Sequence, residues 1–313
     1  MAMDKPAIFF LIGPTASGKT KLAVELTQKF PFEIISVDSA QIYQDMDIGV
    51  AKPSQNILDI APHHLINIIK PYEAYSVAQF TQDTLRLVDS ILSRGRIPLL
   101  VGGTMMYFNG LEKGIHQMPT TDYKIRKKIE LEASQGGWPK LYEKLKEIDP
   151  ESAEKLNPND TQRIGRALEV FYSSGKVLSS FHKSNIKNEF PFVTHKIGLM
   201  PGDRKLLHGR IESRVNEMVK AGLFNEVKSL LKIYPKLESN MPSMRSVGYR
   251  QTLEFLDGDI EEKECVDKII FATRQLAKRQ MTWMRSMDDL NVFDCVSDSL
   301  NEEVIQYVSS LLK

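Results

Sequence analysis

Two glycines separated by four residues, followed by a lysine and a hydroxyl, stand near the start of the chain: Gly13, Pro14, Thr15, Ala16, Ser17, Gly18, Lys19 and Thr20. This spacing suits phosphate binding. The glycines let the backbone turn until its N–H groups point at phosphate oxygens. A helix starting at Lys19 would present its positive dipole end to the same anion. Lys19 adds a mobile cation, and Thr20 offers a hydroxyl to Mg²⁺. The pattern implies a phosphate or pyrophosphate ligand; it does not by itself imply ATP.

Two more short segments carry groups that could act on such a ligand. Asp38-Ser39-Ala40-Gln41 and Gly102-Gly103-Thr104 each follow an apolar run. Asp38 could be an outer-shell Mg²⁺ ligand or a general base. It could equally cap a turn, since Asp-Ser is a good capping pair. The Thr104 hydroxyl could meet a substrate or cap a helix beginning near Met105.

Basic residues gather in three places. Thr273–Arg285 contains Arg274, Lys278, Arg279 and Arg285 with no acid. On a helix, Arg274, Lys278 and Arg285 fall within about 40° of one another, with Leu276, Trp283 and Met284 toward the other side. That reads as a buried face opposite a cationic stripe. The stripe suits a nucleic-acid backbone, or equally a solvated surface. In Asn157–Arg166, Asp160 looks like a helix cap, and Ile164 shares an apolar face with Ala167, Leu168 and Phe171. Gln162, Arg163 and Arg166 lie off that face. Planar amide and guanidinium groups so placed can bond base edges and phosphates, although a plain exposed face gives the same pattern. In the third place Arg245 and Arg250 flank a Gly248-Tyr249 turn.

These groups need a scaffold. Ala7–Ile12, Glu33–Val37 and Ile97–Val101 are continuous apolar runs, as expected of strands buried on both faces. Helical spacing over 19–30 and 81–92 alternates with them, which predicts a parallel sheet in an α/β domain. Ligands of such sheets lie beyond the carboxyl ends of the strands, where 13–20, Asp38 and 102–104 all fall. From about 119 to 189 the pattern turns to charged helical stretches such as 125–134 and 141–148. This predicts an all-helical insertion within a core made of 1–118 and 190–313. Val193–Leu199 regains strand character. Segments 205–232, 263–287 and 302–312 read as helices, and 291–293 as a short strand.

Composition narrows the function. With 41 basic and 40 acidic residues the net charge is +1, which excludes a highly basic packaging protein but not a local basic patch. Cys265 and Cys295 lie far apart and no Cys/His metal spacing occurs, so neither a zinc site nor a disulfide framework is expected. No apolar run approaches the ~18 residues of a membrane span. The twelve residues before Gly13 read mostly as strand, leaving no room for a signal peptide, and a cytoplasmic protein is expected.

At these segments the chain resembles the bacterial tRNA dimethylallyltransferases (tRNA isopentenyltransferases). The segments are GPTASGKT at 13–20, DSAQIYQDMDIGVAKP at 38–53, LLVGGTMMYFNGL at 99–111, NPNDTQRIGRALEVF at 157–171, SVGYRQ at 246–251 and TRQLAKRQMTWMR at 273–285. They occur in the family's order. Val50 departs from it, where the family usually has Thr.

The resemblance implies a P-loop NTPase-like parallel sheet flanked by helices, with an inserted all-helical tRNA-binding domain. It also implies a reaction: a dimethylallyl group moves from dimethylallyl diphosphate to N6 of the adenosine 3′-adjacent to the anticodon. Diphosphate leaves, and Mg²⁺ assists. Residues 13–20 would cradle the diphosphate, with Mg²⁺ held through Thr20 and an Arg of the 204–214 segment, Arg214, completing the clamp. Asp38 becomes the general base, and Lys19 and Thr104 act at the reacting centre. Asp38, Ser39, Ala40, Gln41 and Thr104 would meet the target nucleotide.

A stacked base cannot reach such a site, so the adenosine must turn out of the anticodon loop. The neighbouring RNA of the anticodon stem-loop would be held by Arg126, Gln162, Arg163, Ile164, Gly165, Arg166, Arg245, Gly248, Tyr249, Arg250, Lys278, Arg279 and Arg285. The implied partners are tRNA and dimethylallyl diphosphate, with no membrane, and nothing demands more than a monomer. The rival readings are an adenylate isopentenyltransferase acting on a free nucleotide and a P-loop nucleotide kinase. The helical 119–187 segment argues against the first, because a mononucleotide needs no such clamp.

Overall fold

The computed structural model describes residues 5–114, 119, 123–183 and 190–312. Six parallel strands, β1 (Ala7–Ile12), β2 (Phe32–Val37), β3 (His63–His64), β4 (Ile97–Gly102), β5 (Val193–Met200) and β6 (Leu290–Asp294), make one sheet in the order β3-β2-β4-β1-β5-β6. β1, β2 and β4 are buried along nearly their whole length. That is why they read as unbroken apolar runs rather than alternating ones.

Register brings the chemistry to one edge. β4 pairs with β1 up to Ile12↔Gly102 and with β2 up to Val37↔Gly102. Gly13, Asp38 and Gly103 therefore begin three loops side by side. The close approach depends on glycine: a Cβ at Gly102 would lie 2.0 Å from the Val37 carbonyl oxygen.

Helices α1 (Lys19–Lys29), α2 (Gln55–Ile60), α3 (Val77–Ser93) and α4 (Met105–Lys113) follow the first strands. Next come α5 (Tyr123–Ile148), α6 (Pro150–Glu154), α7 (Thr161–Ser174) and α8 (Leu178–Lys183). The chain ends with α9 (Arg204–Lys220), α10 (Leu223–Ile233), α11 (Tyr249–Leu256), α12 (Glu262–Met284) and α13 (Leu300–Leu311). Leu22 and Leu26 of α1 and Val304 and Val308 of α13 pack with Phe9, Leu11, Leu99 and Leu199 of the sheet. A second cluster joins Ile42, Tyr43 and Met46 to α10, α11 and α12 through Leu223, Val227, Tyr249, Cys265 and Ile269. A third, Leu207, Ile211, Ala277 and Met281, joins α9 to α12, with Ala16 of the 13–20 loop packed against it.

The chain divides into two compact units, 1–112 with 191–313, and 113–190. In the second unit α5 to α8 pack around Ile129, Leu141, Leu145, Ala153, Ile164 and Leu168, and no strand occurs among its described residues. Gly137, at φ 77°, interrupts α5 just before Pro139.

Two sequence expectations change. The 205–232 stretch is two helices, because Gly222 adopts a left-handed φ of 104° between α9 and α10. Gly248-Tyr249, read as a turn, is the start of helix α11, with Gly248 at its N-cap. No helix among the described residues is long and apolar enough to cross a membrane.

Candidate active site

The 13–20 loop is held in shape mostly by its own groups. Ala16 and Gly18 take left-handed φ values of 63° and 86°. A left-handed alanine costs about 1 kcal/mol, so the surrounding bonds must hold it there. Gly13 N–H donates to the Gly102 carbonyl, Ser17 N–H to the Pro14 carbonyl, and Thr15 N–H to Gln280 Oε1 at 2.9 Å. Those amides are occupied. Among the described residues the N–H groups of Ala16, Gly18, Lys19 and Thr20 have no acceptor.

Lys19 folds back over the loop. Its Nζ donates to the Gly13 carbonyl at 2.9 Å and the Pro14 carbonyl at 2.7 Å. Burial, helped by the neighbouring Arg214 guanidinium and opposed by Asp38, lowers its pKa to about 8. Burial likewise holds the Arg214 guanidinium below its usual range, against the opposing charges of Asp38 and Glu217. Half-buried Arg214 makes no hydrogen bond or ion pair among the described residues. Two like charges lie close together here, and of the two carboxylates only Asp38 acts on both. Such a pair is stabilised by an anion.

Asp38 caps a turn, one of the readings its sequence left open. Oδ1 accepts from the N–H of Ala40 at 2.8 Å and of Gln41 at 3.3 Å, so the turn is capped. Oδ2 takes no hydrogen bond among the described residues. Thr104 does not cap α4. Its Oγ1 accepts from Ser39 N–H at 3.0 Å and donates to Ser39 Oγ at 3.3 Å, fixing the Asp38–Gln41 turn against the end of β4. The Gln41 side chain donates to the carbonyls of Val50 and Ala51.

Glu226, which no sequence signal marked, anchors that second turn. Its carboxylate accepts from the N–H groups of Asp47, Ile48 and Gly49 at 2.9, 2.6 and 3.1 Å and from the Tyr249 hydroxyl at 2.6 Å. Gln280 was missed as well. It lies on the inner side of α12, whose basic residues drew attention to the outer side.

The residues near the loop that could hold a metal are oxygen donors, the Thr20 hydroxyl and Asp38 Oδ2. Such a set fits a hard divalent cation that takes its remaining ligands from phosphate and water. No cluster of three or more His, Cys, Asp or Glu side chains capable of holding a metal occurs among the described residues.

The expected RNA-facing residues divide into exposed and buried sets. Gln162, Arg163, Arg245, Arg250, Lys278, Arg279 and Arg285 are exposed. Trp283 is also exposed, at 44%, so the inner face of α12 rests on Ala277, Gln280, Met281 and Met284 instead. Tyr249 and Ile164 correct the expectation of RNA contact: both side chains are fully buried, Ile164 on the apolar face that its spacing with Ala167 and Leu168 predicts. Gly248 is buried too, at φ 96°, and starts α11. Gly165 faces the Trp138 ring, which a Cβ there would meet in ordinary contact at 3.4 Å. Arg166 donates to Glu169 Oε2 at 3.1 Å and to the Pro119 carbonyl, and Arg126 stands 3.7 Å from the same carboxylate. Glu169 is 1% exposed, and a carboxylate so buried needs such partners. These two arginines, themselves partly exposed, pair with that buried carboxylate of the helical unit.

Parallel strands ending in a phosphate loop, two converging cations and an oriented carboxylate define a phosphate-loop α/β protein. Residues 41–287 match the family described as IPP transferase, and residues 6–65 match isopentenyl transferase. The chain is 52% identical over 312 residues to a tRNA dimethylallyltransferase of Methylobacillus flagellatus, covering 100% of this chain and 99% of the relative. It is 49% identical over 306 residues to that of Legionella pneumophila, covering 97% of each. The solved tRNA isopentenylpyrophosphate transferase of Bacillus halodurans is similar at TM-score 0.70 and 34% identity, over 98% of this chain and 96% of that one. A eukaryotic dimethylallyltransferase, solved acting on tRNA, is similar at TM-score 0.81 and 27% identity, over 97% and 79%. The chain belongs to the IPP transferase family and is a prenyl-transferring enzyme.

Proposed function

We propose that the chain transfers a dimethylallyl group from dimethylallyl diphosphate to N6 of the adenosine 3′-adjacent to the anticodon of tRNA, releasing diphosphate. The observation that carries this reading is the electrostatic coupling of Lys19, Arg214 and Asp38 at the phosphate loop, with no hydrogen bond or ion pair to Arg214 among the described residues.

Allylic diphosphates ionise readily because the developing cation is delocalised. The protein's main task is then to stabilise charge on the departing diphosphate. The N–H groups of Ala16, Gly18, Lys19 and Thr20 meet its oxygens, and the Lys19 and Arg214 cations neutralise it. Mg²⁺ held through the Thr20 hydroxyl supplies Lewis-acid charge stabilisation when bound.

Adenine N6 is a poor nucleophile, since its lone pair is delocalised into the ring. Asp38 takes its proton through Oδ2 as the new C–N bond forms, while the bonds to Oδ1 keep the carboxylate from rotating. Thr104 and the Ser39–Gln41 turn meet the target nucleotide. Exposed Gln162 and Arg163 on the helical unit, and Arg245, Arg250, Lys278, Arg279 and Arg285 on the sheet unit, bind the RNA around it. Acting on tRNA, the enzyme works in the cytoplasm, as a monomer.

The test is direct. Purified protein, Mg²⁺, labelled dimethylallyl diphosphate and unmodified tRNA yield tRNA labelled at that adenosine. Label on AMP but not on tRNA overturns the acceptor, and phosphoryl transfer from ATP without prenylation overturns the reaction.

A further inference from the structure

α12 carries exposed Lys278 and Arg279 on one side and buried Gln280 on the other. Gln280 bridges two strand-end loops. Its Oε1 accepts from Thr15 N–H at 2.9 Å, and its Nε2 donates to the Gly103 carbonyl at 2.9 Å. The partners fix the amide's orientation, because an N–H needs an acceptor and a carbonyl needs a donor.

The neighbourhood is shaped to admit this group. A Cβ at Gly103 would lie 2.4 Å from Gln280 Nε2. Ala277, about one turn before Gln280, and Met281, the residue after it, pack with Leu207 and Ile211 of α9, the helix that carries Arg214. Ala16, the strained residue of the loop, rests against the same cluster.

We propose that Gln280 is a positioning residue for the donor site: its carboxamide ties the phosphate loop to the end of β4 and sets the geometry in which the loop receives the diphosphate. The proposal rests on residues 13–20 being the diphosphate site. Gln280 does not touch the diphosphate. It holds Thr15 so that the next amides, from Ala16 onward, stay turned toward the ligand. The chemistry needs one donor and one acceptor at this length. Asn is too short, Met lacks both groups, and ionised Glu offers a second acceptor to a carbonyl. Protonated Glu has one donor and one acceptor again.

The experiment uses the full-length protein and dimethylallyl diphosphate with Mg²⁺, read by calorimetry, beside tRNA binding measured separately. Gln280→Met weakens donor binding roughly tenfold, the expected effect of losing two hydrogen bonds, and leaves tRNA affinity unchanged. Gln280→Glu is weaker still at neutral pH. Its affinity relative to wild type recovers as the pH falls toward about 5, because burial at this position raises the carboxyl above its ordinary value of about 4.3. Gly103→Ala, which displaces the amide from the other side, reproduces the donor defect without altering Gln280. Equal donor affinity in wild type and Gln280→Met, or no relative recovery of Gln280→Glu at low pH, overturns the proposal. Loss of donor and tRNA binding in equal measure across the variants also overturns it, since that marks general unfolding. Lys19→Ala separates the two levels: if it leaves donor binding intact, the diphosphate site itself is wrong.

Discussion

Lys19 makes donor binding depend on pH in a calculable way. Its pKa of about 8 lies well below the usual 10.5 because the ammonium is buried beside Arg214. A bound diphosphate adds negative charge to the loop, raises that pKa and draws a proton from solvent. For the free protein the ordinary titration relation leaves Lys19 about one-tenth neutral at pH 7, about half at pH 8 and about nine-tenths at pH 9. Binding therefore takes up about 0.1, 0.5 and 0.9 protons at these pH values. Apparent affinity falls as pH rises, by nearly tenfold between about pH 7 and pH 9, because only the charged fraction is competent. Calorimetric titration of dimethylallyl diphosphate in two buffers of different ionisation enthalpy reads the uptake as the difference between the two heats. Lys19→Arg, which stays charged throughout, should bind without uptake. Equal heats in both buffers at about pH 8, or the same uptake in Lys19→Arg, would refute the assignment of a depressed pKa to this lysine.

Asp38→Asn retains an acceptor for the Ala40 and Gln41 amides but cannot take a proton; tRNA binding should persist while turnover falls by about 10²–10⁴, and full activity would remove Asp38 as base. Arg163→Ala, at a side chain 71% exposed, should weaken tRNA binding and reduce the slope of log affinity against log salt by about 1, with thermal stability unchanged. Tyr249→Phe should behave in the opposite manner: it removes the 2.6 Å bond to Glu226, costs about 1–2 kcal/mol in urea unfolding, and leaves the salt slope alone. Lys19→Met should be more stable than wild type at about pH 7, and the gap should narrow as pH rises toward 9, because the unfolded chain holds the lysine proton that the folded chain releases.

The sheet was legible because its central strands are buried on both faces, which leaves an apolar run that no turn interrupts. The three loops were legible for a related reason: each begins where such a run stops, at Gly13, Asp38 and Gly103. Short elements held by tertiary contacts were not legible. β3 has two residues and pairs only with β2, and α2 buries none of its residues. At the site, motif position indicated a neighbourhood but not a direction. Tyr249 sits between Arg245 and Arg250 in sequence, yet its helix turns it into the core. Glu226 and Gln280 escaped notice because their partners are mainly backbone groups far along the chain, and a backbone amide leaves no trace in a sequence. Arg214, selected from a segment of several basic residues, stands beside both Lys19 and Asp38.

Glu226 has three backbone amides among its four partners. A side-chain partner can change in step with a mutation across an interface; a peptide N–H cannot. The shape that Glu226 imposes on the 47–49 turn therefore has no compensating substitution at the other end. Across relatives, position 226 should hold its carboxylate without a covarying partner. The hydroxyl of Tyr249 is the one contact free to drift. Methods that infer contacts from correlated change would then pass over the residue that anchors the second turn of the site.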